Sequence, residues 1–135
     1  MCADKLHARN RGPIQILTRQ PAGGRARDGG LRIGEMERDC IVTHGAAHLL
    51  RDRLFFEADN YTTHVCGNCG QFAQAPKPDA VQQDAAGLFL RGQRAYCKGC
   101  DRSDTVYKIE LPYSFKLFVQ ELQALHMRVE FQLAD

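Results

Sequence analysis

An α+β fold is the class this sequence predicts, and three observations predict it. Glycine and proline punctuate the first 34 residues without any helical period, so that part should be extended. From about Glu35 the apolar residues fall near helical spacing. Two Cys-x-x-Cys pairs then lie beside two strand-like runs, ahead of a helix expected from Pro112. The expected order is an extended segment and a helix leading into a small four-cysteine ribbon plus a C-terminal helix.

Each element has a local cause. Between Gly12-Pro13, Gln20-Pro21, Gly23-Gly24 and Gly29-Gly30, only PIQILT (Pro13–Thr18) reads as a short strand. Met36, Ile41, Ala47, Leu50 and Leu54 then mark one helix over about Glu35–Phe56, interrupted only by Gly45. Glu35 and Glu37 occupy its first turn, where carboxylates favour the helix dipole. Tyr61–Val65 and Thr105–Leu111 read as strands, the second placing Tyr107, Ile109 and Leu111 on one face. The Pro-, Asp- and Gln-rich stretch Ala75–Ala86 is most simply a mobile loop. Pro112 can open a helix because its missing N–H would be unsatisfied there anyway. Phe115, Phe118, Val119, Leu122 and Leu125 form its apolar stripe, and Val129, Phe131 and Leu133 alternate as a last short strand.

Cys66-Gly-Asn-Cys69-Gly and Cys97-Lys-Gly-Cys100 each put two sulfurs on a tight turn. Four thiolates make a tetrahedral cage, which selects Zn²⁺ and leaves no open position for a catalytic water. The zinc should therefore be structural, with Cys66, Cys69, Cys97 and Cys100 as ligands. A redox Cys-x-x-Cys would come alone, near a βαβ pattern that is absent here. Cys40 reads as an inert buried thiol, Cys2 says little, and His64 reads as a strand residue rather than a fifth ligand.

Charge points to a polyanionic partner. Residues 1–38 hold eight Lys/Arg against four Asp/Glu, whereas residues 39–135 hold ten against twelve, so the formal +2 divides into +4 and −2. The densest stretch is RARDGGLRIGEMERD, Arg25 to Asp39, with four arginines and three glycines. Guanidinium groups fork onto phosphate oxygens, and glycine-rich backbone lets them follow a curved strand. No aromatic residues interleave with them, so sugar-phosphate contact without sequence readout is expected. Glu35 and Glu37 would suit a carboxylate pair, but side chains two apart on a helix face different ways. No apolar run approaches the roughly 20 residues that span a bilayer, and MCADKLHARN lacks a secretory h-region, so no membrane partner is expected.

These motifs carry a resemblance. DKLHARNRGPIQILTRQPAGGRARDGGLRIGEMERD, HGAAHLLRDRLF, VCGNCG, YCKGC and LPYSFKLFVQEL, in that order, resemble the C-terminal part of the second-largest (beta-like) subunit of multisubunit DNA-directed RNA polymerase, of eukaryotic or large-DNA-virus type. The resemblance covers nearly the whole chain. It implies that residues 1–40 end the hybrid-binding region with a switch-like loop. Residues 41–135 would form the C-terminal clamp module, with a zinc ribbon at 61–111 and a C-terminal helix at 112–127.

The resemblance also implies roles. Lys5 and His7 would lie near the RNA 3′ end or the priming nucleotide, and Arg25, Arg27 and Arg32 would contact template DNA within the RNA–DNA hybrid. Glu35, Glu37, Arg38 and Asp39 would fix the helix start. The catalytic Mg²⁺ of this family is held mainly by an aspartate motif of the largest subunit, absent here, so no catalytic residue is expected on this chain. Its partners would be the largest subunit and the remaining polymerase subunits, in the nucleus, or in the virion or host cell if viral. The chain matches only the last tenth or so of such a subunit, which suggests a separately encoded piece of a split subunit or a shortened coding sequence. The 27 residues between Cys69 and Cys97 form a longer insert than in many relatives. The competing reading is a stand-alone zinc-ribbon regulator that binds nucleic acid or docks on a polymerase.

Overall fold

The computed structural model describes residues 1–75, 82–83, 89–90 and 95–133. Three α-helices, α1 (Glu35–Thr43), α2 (Ala47–Arg51) and α3 (Tyr113–Ala124), accompany five strands. These are β1 (Asn60–Cys66), β2 (Phe72–Ala73), β3 (Gln82–Gln83), β4 (Phe89–Leu90) and β5 (Val106–Pro112). The α+β class is borne out. No helix among the described residues is long and apolar enough to cross a membrane.

Two compact units make up the chain: Met1–Tyr61 with Leu111–Phe118, and Thr62–Glu110 with Val119–Asp135. In the first, Pro13–Thr18 does not run as a strand. The chain turns back after a single bridge, Ile14 to Pro21, with Ala22 donating to the Pro13 carbonyl at 3.0 Å and Arg19 to the Gln15 carbonyl at 3.0 Å. The apolar run curls instead of extending because no strand among the described residues neighbours it; Ile16 is 97% exposed.

The helix expected over Glu35–Phe56 is three pieces. Gly34 donates its N–H to the Glu37 carboxylate at 2.9 Å and so opens α1. Gly45, at φ 68°, takes the left-handed conformation that ends it. After α2 the chain widens into a π-helical turn, Asp52–Phe56, closed by the Glu57 N–H on the Asp52 carbonyl at 3.0 Å. Apolar spacing continued across the break, which is why periodicity alone reads one helix.

Helix α3 starts after Pro112 rather than at it: Pro112 closes β5. The first N–H groups of α3 are capped from far away in sequence. Asp59, almost fully buried, accepts from the Ser114 N–H at 3.0 Å and the Ser114 hydroxyl at 2.6 Å, and its carbonyl accepts from Tyr113 N–H at 2.9 Å. Those orphan donors would otherwise be unsatisfied. Of the expected stripe, Val119 is buried, whereas Phe115, Phe118 and Leu125 are largely exposed.

In the second unit, β1 pairs antiparallel with β2 in the register His64–Ala73 and Val65–Phe72, and β5 flanks its other side. His64 is thus a strand residue. The face expected from Tyr107, Ile109 and Leu111 is uneven: Leu111 is buried, Tyr107 exposed. Of the loop expected over Ala75–Ala86, Gln82–Gln83 form β3, paired with β4, and nearly all the rest lies outside the described residues. Val129–Leu133 forms no strand. One backbone bond, Phe131 N–H to the Gly70 carbonyl at 2.9 Å, is joined by the Gln71 side-chain amide on the Val129 carbonyl at 2.7 Å and by the Phe72 and Phe131 rings at 5.1 Å. Side chains hold this tail where a ladder was expected.

Candidate metal centre and nucleic-acid interface

The four cysteines converge. Their Sγ atoms all lie within 4.8 Å of one another, with Cys66 and Cys97 buried and Cys69 and Cys100 half-buried. Two similar turns bring them together. Cys66 donates to the Gln71 carbonyl at 3.0 Å and accepts from Gly70 N–H at 2.9 Å; Cys97 donates to the Arg102 carbonyl at 2.8 Å. Gly67 N–H on the Thr105 carbonyl at 2.8 Å ties the first turn to the chain entering β5. No disulfide forms: Cys69 and Cys97 sulfurs are 3.6 Å apart, and all six cysteines are free.

The electrostatics of the cluster favour one thiolate and penalise the next. Backbone N–H of Cys69, the largest influence, lowers the Cys66 thiol to about 6; burial opposes it, while Asn68 N–H, the Thr105 hydroxyl and Cys97 assist. Burial, first among the causes, pushes the Cys69 thiol up to about 12, and the neighbouring sulfurs add to it. Crowded sulfurs cannot all ionise cheaply unless a cation joins them. The Asn68 side-chain amide donates to Cys100 Sγ at 3.3 Å, a contact suited to a negatively charged sulfur. The arrangement could hold a metal ion.

Cys40 is exposed, not buried as its sequence context suggested. It sits on α1, which buries no residue, so there is no interior for it to enter.

The arginine-rich loop lies in the first unit. Arg25–Arg27 form a 3₁₀ turn closed by left-handed Asp28, and Arg32 follows two glycines. Lys5, Arg25, Arg27 and Arg32 are exposed and their side chains make no hydrogen bond or ion pair among the described residues. His7 is different: its Nε2 lies 2.5 Å from the Gly29 carbonyl. Arg9, which sequence reasoning did not single out, donates to the Pro13 carbonyl at 2.8 Å and the Asp28 carbonyl at 3.0 Å. Gly29 has no substitute here, since a Cβ would stand 2.2 Å from the Ala22 carbonyl oxygen. The loop is thus braced from behind by His7 and Arg9 while its other cations face water. Arg9 carried no local signal as a brace of the loop, because the partner that ties it there, the Asp28 carbonyl, is 19 residues away.

By fold and site this is a small α+β protein with four close thiols that could hold a metal ion and, in its first unit, a braced cationic loop. The family described as RNA polymerase Rpb2, domain 7, matches residues 29–134, and that described as RNA polymerase Rpb2, domain 6, matches residues 1–27. The chain belongs to the RNA polymerase Rpb2 domain 7 family. DNA-directed RNA polymerase II subunit 2 of Arabidopsis thaliana is 48% identical over 125 residues, which are 93% of this chain and 9% of that protein. DNA-directed RNA polymerase III subunit RPC2 of Saccharomyces cerevisiae is 40% identical over all 135 residues and 10% of that protein. DNA-directed RNA polymerase subunit 2 of Acanthamoeba polyphaga mimivirus is 45% identical over 129 residues, 94% of this chain and 10% of that protein. The chain spans about a tenth of the length of these relatives.

Proposed function

We propose that the chain works as part of the second-largest subunit of a DNA-directed RNA polymerase, a nucleotidyltransferase, and supplies positioning and charge rather than the chemical step. The observation that carries this reading is the match of two consecutive Rpb2 domains, in order, along almost the whole chain. Residues 1–40 end a hybrid-binding region and residues 41–135 form a clamp module. Lys5, Arg25, Arg27 and Arg32 contact the phosphates of template DNA and the RNA–DNA hybrid; the exposure of their side chains and their lack of side-chain partners among the described residues support that role. His7 joins them with its remaining ring nitrogen. The largest subunit is the main partner and holds the catalytic Mg²⁺. The site of action is the nucleus, or the virion or host cell for a viral enzyme.

The metal is Zn²⁺, held by Cys66, Cys69, Cys97 and Cys100. Zn–S distances of about 2.3 Å in a tetrahedron place sulfurs roughly 3.8 Å apart. The 3.6 Å between Cys69 and Cys97 is close to that spacing. With four protein ligands the ion braces the module and activates no water.

Co-purification tests the assignment. A tagged chain expressed in cells that contain the rest of the enzyme is expected to recover a largest subunit together with the upstream part of the second subunit. Recovery as a folded monomer with no polymerase subunit would overturn the assignment and leave a stand-alone regulator.

A further inference from the structure

Arg19 has no place in the proposed contacts, yet its setting is specific. It holds φ 54°, a left-handed backbone that a residue with a side chain adopts only when its surroundings demand it. Its guanidinium carbon lies 4.3 Å from the Tyr113 ring centroid and 5.6 Å from that of Tyr61. Both are within the roughly 6 Å over which a ring quadrupole attracts a cation. The two rings meet edge to face, 5.1 Å apart, and Lys116 Nζ stands 5.0 and 5.3 Å from them. Tyr61 belongs to the start of β1 and Tyr113 to the start of α3, where buried Asp59 fixes the helix end. Arg19, Asp59, Tyr61 and Tyr113 line one cleft of about 240 Å³ with Ile14 and Phe56.

Arg19 also sits at the bend of the turn from which the arginine-rich loop hangs. Ala22 N–H bonds the Pro13 carbonyl at 3.0 Å, and the Ala22 carbonyl in turn accepts from Gly30 N–H at 2.8 Å. Gly29 N–H bonds the Gly24 carbonyl at 3.0 Å. A short hydrogen-bonded path therefore runs from the bend at Arg19 to the backbone that carries Arg25, Arg27 and Arg32.

We propose that Arg19 is a positioning residue: clamped on the Tyr61–Tyr113 pair, it anchors the 13–22 turn and so sets the placement of the arginine-rich loop against phosphate. The inference rests on the proposed role of that loop. In this proposal Arg19 acts through the loop and makes no phosphate contact of its own.

The test uses the full 135-residue chain. Arg19→Ala is expected to speed hydrogen exchange at the Ala22, Gly29 and Gly30 amides by about tenfold. It should weaken binding of a short RNA–DNA hybrid while leaving the slope of log K against log salt unchanged, since no phosphate contact is lost. Arg19→Lys keeps a cation over the rings and should restore part of both effects. Tyr113→Phe keeps the ring and should match the parent chain. Unchanged exchange in Arg19→Ala would overturn the proposal. So would a slope that falls by roughly one unit, because Arg19 would then be a phosphate contact. If the parent chain binds no hybrid but exchange still responds, the anchor stands and the role proposed for the loop fails.

Discussion

The site residues that could be recognised from sequence are those whose partners are near in the chain. Cys66 and Cys69, or Cys97 and Cys100, are three apart, and thiolate chemistry sets that spacing, so the cluster was legible before any fold was known. Arg19 and Arg9 were not legible. Their partners, Tyr113 and the Asp28 carbonyl, come close only after the chain folds. Cys40 misled for the converse reason: a hydrophobic thiol is usually buried, but nothing covers α1 among the described residues. The cluster yields a sharp residue-scale expectation. Cys97→Ser removes one of the two buried sulfurs of the set, so the chain should lose the proposed zinc and unfold over residues 61–111. Zinc content by metal analysis and a melting curve check this; if both match the parent chain, the four-cysteine ligand set is wrong.

At the scale of elements, periodicity named the helices better than it bounded them. The break at His44–Ala46 costs only a few residues of an otherwise continuous apolar pattern, so a period of 3.6 runs straight through it. Pro13–Thr18 has strand composition but no partner strand, and composition cannot report a missing neighbour. The loop over Arg25–Arg32 is the element on which the proposed function depends. The side chains of Arg25, Arg27 and Arg32 make no hydrogen bond or ion pair among the described residues, so replacing all three with alanine should leave the melting temperature nearly unchanged. The same change should flatten the salt dependence of hybrid binding by roughly one unit of slope per lost phosphate contact. Equal slopes in parent and variant would make these arginines structural. Gly29 defines the loop in the opposite sense, through the backbone, because the Ala22 carbonyl occupies the space of any side chain.

At the scale of the whole molecule the two units differ in what they bury. The buried apolar residues among those described are Val65, Cys66, Cys97, Leu111 and Val119. Four of these five lie in the unit Thr62–Glu110 with Val119–Asp135, and two of the four are sulfurs of the cluster. Burying Val65 and Val119 contributes about 1.5–3 kcal/mol each, against about 1–2 kcal/mol of backbone entropy for every ordered residue. A structural zinc contributes on the order of 10–16 kcal/mol to a small unit, so with the proposed zinc in place the metal would decide whether this one folds. The unit Met1–Tyr61 with Leu111–Phe118 has only Leu111 of that core, and it leaves Leu6 81%, Leu31 89% and Met36 82% exposed. None of the four clustered cysteines belongs to it. Thermal unfolding followed residue by residue should therefore show two transitions, the lower one in the first unit and insensitive to metal. Stripping zinc with a chelator should remove the upper transition, and acid should do the same, because protons compete with the ion for thiolate. A single transition that keeps its midpoint after chelation would show that packing, not metal, holds the second unit together.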